Sequence, residues 1–189
     1  IHGAHGYLLH QFWVEQTNKR DDEYGGSREN RARLTLDVIN ACVKAWDSDH
    51  VGIRVSPLGS FNNVEAGYDE DEKIWMIEQI NQRGLMYLHL SEPDWAGGTP
   101  YSTEFRQRVR DAFGQMIIAA GGYTPEKAEQ NIKDGYIDAV AFGRDYIANP
   151  DLAERIQKGA PLNEQHPESF YGGSTVGYTD YPYLEQKQA

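Results

Sequence analysis

His2, His5 and Tyr7 stand within the first seven residues, in the run Ile1-His-Gly-Ala-His-Gly-Tyr7. Two imidazoles can hydrogen-bond a carbonyl or nitro oxygen, and a phenol beside them offers a weakly acidic proton. The same imidazoles, with His10 beyond, could also begin a metal site or be satisfied turn residues. A metal site needs convergent ligands, usually with a third group. No Cys pair, second His pair or His-Glu-x-x-His accompanies them, so no metal is expected. Oxygen binding and ordinary turn packing stay equally open on the residues alone.

Arg54 is the next candidate, embedded in Val51-Gly-Ile-Arg-Val-Ser-Pro57. A buried Arg without a partner is costly. It calls for an anion or an electron-rich acceptor, such as the N1/O2 edge of a flavin, or for a structural ion pair. Gly121-Gly122 and Gly143-Arg144 come at the ends of consecutive apolar runs, just before helical segments. Backbone N–H groups at such turns, with an Arg, suit a phosphate; tight turns with a surface Arg are the plainer reading. Trp95, Phe170 and Tyr171 fall in loop segments, where aromatics line pockets or pack against the scaffold.

The elements that must position these groups follow from periodicity. Ile1 reads as the last residue of a strand, and Leu8, Leu9 and Phe12 have helical spacing. Asn18–Asn30 is a polar, Gly-containing loop, and a helix starts at Ser27 and runs to about Trp46. A strand over 51–57, an irregular loop over 59–68 and a helix over 69–83 follow. Strands are then expected at Met86–Ser91, Met116–Ala120 and Asp138–Phe142. Helices are expected at Glu104–Phe113, from Thr124-Pro125 to about Asp134, and at Leu152–Lys158. The Gly/Tyr/Pro-rich remainder is a tail. This alternation predicts a parallel α/β sheet whose short apolar strands are buried on both faces. Strand C-ends are the ligand side of such folds. Almost no strand precedes His2, so the chain reads as the C-terminal part of a longer protein or one piece of a split one.

Composition narrows the class. The 189 residues are 39% hydrophobic and carry a net charge of −11. That excludes a basic nucleic-acid surface and attraction to anionic membranes, and no apolar run reaches the length of a membrane helix. The single Cys42 rules out an internal disulfide framework and fits a reducing, cytoplasmic setting. It lies in an apolar helical run and is expected in the core.

Taken together these segments resemble the old yellow enzyme family of FMN-dependent ene-reductases. The resemblance rests on residues 1–12, on Asp22–Arg33, Gly52–Pro57, Ala141–Arg144, Ile147–Leu152 and Phe170–Gly173, and spans 1 to about 184. Within the family the chain is similar to bacterial N-ethylmaleimide reductases and nitrate-ester reductases, His5 standing where many relatives have Asn. The resemblance implies a (β/α)8 TIM barrel of which this chain supplies the C-terminal half, as part of one FMN-binding domain over 1–189. It implies NADPH or NADH as reductant and small activated alkenes as substrates, with nitro and nitrate-ester compounds as a second class. His2 and His5 would hold the activating oxygen, Tyr7 donate the proton, and Trp95 and Tyr171 line the substrate pocket. Arg54 would contact FMN, and Gly121, Gly122, Gly143 and Arg144 its phosphate. A complementing N-terminal half is then the expected partner. Two other readings stay open: a non-catalytic half-barrel, and a non-flavin phosphate-binding barrel enzyme.

Overall fold

A computed structural model describes residues 1–65 and 69–184; the last part of the loop expected over 59–68 lies outside them. The chain divides into two compact units, Ile1–Val140 and Ala141–Ala189.

The first unit is a five-stranded sheet in the order β1-β2-β3-β4-β5, parallel throughout. The strands are β1 (His2–Gly3), β2 (Gly52–Val55), β3 (Tyr87–Ser91), β4 (Met116–Ala120) and β5 (Ala139–Val140). Helices α1 (Leu8–Trp13), α2 (Arg28–Trp46), α3 (Glu70–Asn81), α4 (Thr103–Ala112) and α5 (Pro125–Lys133) lie between them in the chain. Capping explains where the longer helices start. The side chains of Ser27, Asp69, Ser102 and Thr124 each accept a backbone N–H from the first turn of α2, α3, α4 and α5, satisfying donors that the helix itself cannot.

Burial along the strands corrects one expectation. Ile53, Val55, Leu88, Leu90, Ile117 and Ala119 are buried. Their neighbours Arg54, Tyr87, His89 and Ile118 are only partly covered. Among the described residues β2, β3 and β4 therefore bury one set of alternating residues more deeply than the other, and both residues of β5 are only partly covered. Cys42 is a second correction: it is partly exposed, because α2 turns Ala32, Thr35 and Ile39 inward instead.

β5 is shorter than the expected 138–142. The Asp138 carboxylate accepts the Ile117 N–H at 2.7 Å and pairs with Arg110 at 2.9 Å, and ladder pairing is confined to Ala139 and Val140. The second unit holds α6 (Arg144–Ala148), which periodicity did not reveal, and α7 (Leu152–Lys158). A five-residue helix is too short to show a repeat. Fully buried Arg155 fastens the tail of this unit, donating to Asp151 at 2.6 Å and to the carbonyls of Pro161 and Pro182 at 2.7 and 2.8 Å.

Candidate active site

The ladder fixes His2 and Arg54 side by side. His2 is the register partner of Arg54, Arg54 of His89, and His89 of Ile118. Because side chains alternate along strands, this row shares the half-covered face. Beyond β1 the chain turns through two left-handed residues, His5 at φ 57° and Gly6 at φ 67°. A Cβ on Gly6 would come within 2.6 Å of the Phe61 carbonyl oxygen, so only glycine fits. His5 has no such exemption. Its conformation costs of order 1 kcal/mol or more and is held by three bonds. Its N–H donates to Ser56 Oγ at 2.9 Å, its carbonyl accepts from Asn62 at 3.0 Å, and its Nε2 lies 2.7 Å from Ser91 Oγ.

The turn gathers the residues singled out by sequence. Ring centroids of His2 and His5 are 5.9 Å apart, and those of His2 and Tyr7 5.2 Å. Trp95, in a short 3-10 turn over Pro93–Ala96, lies 5.5 Å from His5 and 5.4 Å from Phe61. Tyr7 is 51% exposed, open to a ligand. Burial, then the Arg54 charge, lowers the pKa of His2, and the same two causes bring His5 down to about 4. Both rings are neutral near pH 7, each with one N–H to give.

Arg54 is half-buried and has no carboxylate partner among the described residues; the structural ion pair weighed from sequence is not formed there. Its Nη2 reaches Ser91 Oγ at 3.4 Å, and its buried Nε has no partner among them. Burial lowers its pKa, yet a guanidinium stays charged. An unpaired buried donor on a fixed cation fits an electron-rich acceptor such as a flavin ring edge. His89 has the same character: buried Nε2 unpartnered, pKa brought down to about 4 by burial and then by Arg54. His89, Ser56, Ser91 and Phe61 were not singled out from sequence. The alternation of β3 was the available signal for His89 and Ser91, once aligned with Arg54.

His10 supports the turn from beneath. It is 2% exposed, and its Nδ1 accepts the Gly6 N–H at 2.9 Å. Burial, then Lys73, lowers its pKa to about 3. An unfolded His binds its proton near pH 6.5, so below that pH the unfolded state takes up the proton first. Stability is therefore expected to fall as pH drops from about 6.5 towards 3, by about 1.4 kcal/mol per pH unit for His10. Partly exposed His5 and His89 add to the same trend. Urea midpoints between pH 6.5 and 5, above the carboxylate range, check this, and His10→Asn should lessen the slope. A flat profile there would show these rings to be protonated in the fold.

Gly121 and Gly122 end β4 as expected, but an internal anion already sits against them. The Gly122 N–H donates to Asp94 Oδ1 at 2.8 Å, and Lys127 binds Asp94 Oδ2 at 2.7 Å. Burial would raise the Asp94 pKa, but the Gly122 N–H and Lys127 outweigh it and hold it low. A Cβ on Gly121 would lie 2.4 Å from Asp94 Oδ1. Behind this pair Glu92, 0% exposed, takes both Nη atoms of Arg106 at 2.5 and 2.6 Å and the Tyr123 hydroxyl at 2.5 Å. A cleft of about 610 Å³ lined by Leu58, Pro93, Gly98 and Tyr101 contains none of the histidines. Among the described residues no group of three or more His, Cys, Asp or Glu could hold a metal, and no helix is long and apolar enough to cross a membrane.

In the second unit Gly143 caps α6 and Arg144 is its first, exposed residue. Tyr171 is 92% exposed, whereas Phe170 is buried and its carbonyl accepts from the Tyr178 hydroxyl at 2.5 Å.

Known proteins resemble this chain in sequence and fold. The chain is 42% identical to 12-oxophytodienoate reductase 2 of Arabidopsis thaliana over 190 residues, covering 98% of this chain and 50% of that protein. It is 43% identical to 12-oxophytodienoate reductase 1 of Oryza sativa subsp. japonica, with 98% and 50% covered. Morphinone reductase superposes with a TM-score of 0.92 at 43% identity, covering all of this chain and 50% of that one. An old yellow enzyme homologue from Zymomonas mobilis gives 0.90 at 33% identity, with 97% and 52% covered. The chain thus spans about half the length of the relatives it matches. Its five parallel strands are about half of an old yellow enzyme TIM barrel. The family model for NADH:flavin oxidoreductases and NADH oxidases matches residues 1–163, and this chain belongs to that family.

Proposed function

We propose that this chain carries the substrate-oxygen site of an FMN-dependent NAD(P)H oxidoreductase that reduces activated C=C bonds. The carrying observation is the neutral His2–His5 pair at the end of β1, with Tyr7 beside His2 and the Arg54 charge next in register. His2 and His5 donate to the activating oxygen and stabilise negative charge there as the alkene is reduced. Tyr7 gives its proton to the carbon next to the activating group. Trp95 and Phe61 wall the histidine side; Tyr171, in the second unit, is a separate candidate for substrate contact. FMN, reduced by NADH or NADPH, would supply the hydride. Arg54 would hold its ring edge; Gly121 and Gly122 are one candidate for its phosphate, Gly122 contributing only if Asp94 yields its N–H, and Gly143 with Arg144, in the second unit, are another. Enones and maleimides are the substrate class; nitro and nitrate-ester compounds are a secondary one. A reducing cytoplasmic setting suits the chemistry.

Titration with phenol and with 2-cyclohexenone tests the oxygen site. His2→Ala and His5→Ala are each expected to weaken both ligands roughly tenfold, the equivalent of one hydrogen bond. Unchanged affinity in both variants would refute the site.

Arg144→Ala is expected to cost FMN about 1.5–3 kcal/mol of affinity through loss of a charge-assisted phosphate contact. Fluorescence titration with FMN checks it, and an unchanged dissociation constant would remove Arg144 from the phosphate site.

The half-length match and the half-covered sheet face favour one addition to this reading. The chain would act only when strands supplying the other half of the barrel complete it, as part of the same protein or as a complementing chain. By itself it would be a non-catalytic half-barrel.

A further inference from the structure

We infer that the Ser91 hydroxyl fixes the tautomer of His5, leaving its single proton on Nδ1 to face the substrate oxygen, which makes Ser91 a positioning residue. The inference rests on the oxygen-binding reading of His5 but stands on separate geometry.

Ser91 ends β3 and is 1% exposed, closed to water. Its Oγ has two partners: His5 Nε2 at 2.7 Å and Arg54 Nη2 at 3.4 Å. A guanidinium only donates, so Arg54 occupies one lone pair of the hydroxyl. The hydroxyl keeps one proton and one free lone pair. His5, with a pKa of about 4, is neutral and carries one N–H.

Two arrangements are possible. With the proton on Nε2, His5 donates to the remaining lone pair, and the Ser91 proton has no acceptor among the described residues. A buried donor left unmade bears its full desolvation penalty. With Nε2 bare, Ser91 donates to it and every group is satisfied. Donation then runs in one direction, from Arg54 to Ser91 to His5, in which successive bonds polarise one another. The bond made at one imidazole nitrogen sets the state of the other, so the proton sits on Nδ1. The bonds of the His5 backbone to Ser56 and Asn62 hold the same residue. Arg54 thereby acts on the substrate oxygen through Ser91 as well as by its own charge.

Nitrogen-15 NMR of histidine-labelled, flavin-loaded protein at pH 7 reads the tautomer directly. His5 is expected to show a bare, pyridine-type Nε2 and a protonated, pyrrole-type Nδ1. In Ser91→Ala the two tautomers should mix and phenol should bind roughly tenfold more weakly. Ser91→Thr keeps the hydroxyl and should restore both. A protonated Nε2 in the unmodified protein overturns the assignment, even if Ser91→Ala fails to fold, and so does an unchanged tautomer in Ser91→Ala. If phenol binding instead ignores His5→Ala, the oxygen-site reading falls while the tautomer result still judges Ser91.

Discussion

Tyr7→Phe is expected to slow reoxidation of the reduced flavin by 2-cyclohexenone by about 10²–10⁴-fold, the range for loss of a general acid. The ring stays and only the acid is lost. Tyr7 lies 5.2 Å from His2 and is half-exposed, so the substitution leaves the core untouched. Flavin reduction by NADH or NADPH should be nearly unaffected, because that half-reaction needs no proton on carbon. Quinones and nitro compounds should also be largely spared, since their reduction need not protonate carbon. Stopped-flow measurement of the two half-reactions separates the cases. Equal slowing of both would make Tyr7 a ligand-positioning residue, with the proton coming from elsewhere.

Glu92→Ala is expected to destabilise the fold by about 3–5 kcal/mol, the cost of leaving half of a buried ion pair alone. Glu92 is fully buried, and its carboxylate binds both Arg106 Nη atoms and the Tyr123 hydroxyl. Removing it strands a guanidinium that is only 8% exposed. Burial and then the Glu92 charge already push the Tyr123 pKa up, so Tyr123 stays a neutral donor. A loss of that size is a large share of a typical domain's stability. Tyr123→Phe, which deletes one donor and leaves the pair intact, should cost about 1 kcal/mol. Urea unfolding of both variants checks the order. Equal small losses would mean that the pair is solvated in the native state. The network sits at the start of the Trp95 turn, so Trp95 fluorescence should also shift in Glu92→Ala.

Much of this was legible in sequence, for local reasons. Ser27, Asp69 and Thr124 mark helix starts because their side chains accept N–H groups a few residues on. Parallel pairing follows from alternating short strands and helices. The closeness of His2, His5 and Tyr7 follows from two glycines in six residues. Long-range facts were not legible. Nothing near Gly122 in the chain announces that Asp94, in another loop, takes its N–H. His89 reads as one polar residue in an apolar strand until register places it beside Arg54. Apolar runs such as Met116–Ala120 suggested burial on both faces, and only tertiary packing shows that one face is half-covered. Cys42 failed for a related reason, since an apolar run on a helix does not say which stripe turns inward.

The visible spectrum of the chain after mixing with FMN and removing free flavin tests the central claim most directly. It should be recorded with the chain alone and with a polypeptide supplying the other half of the barrel. Retained flavin absorbance in the complemented sample, bleached by NADH or NADPH and restored by 2-cyclohexenone, is the predicted result. A complemented, folded barrel that retains no flavin yet binds inorganic phosphate would contradict it and point to a non-flavin barrel enzyme.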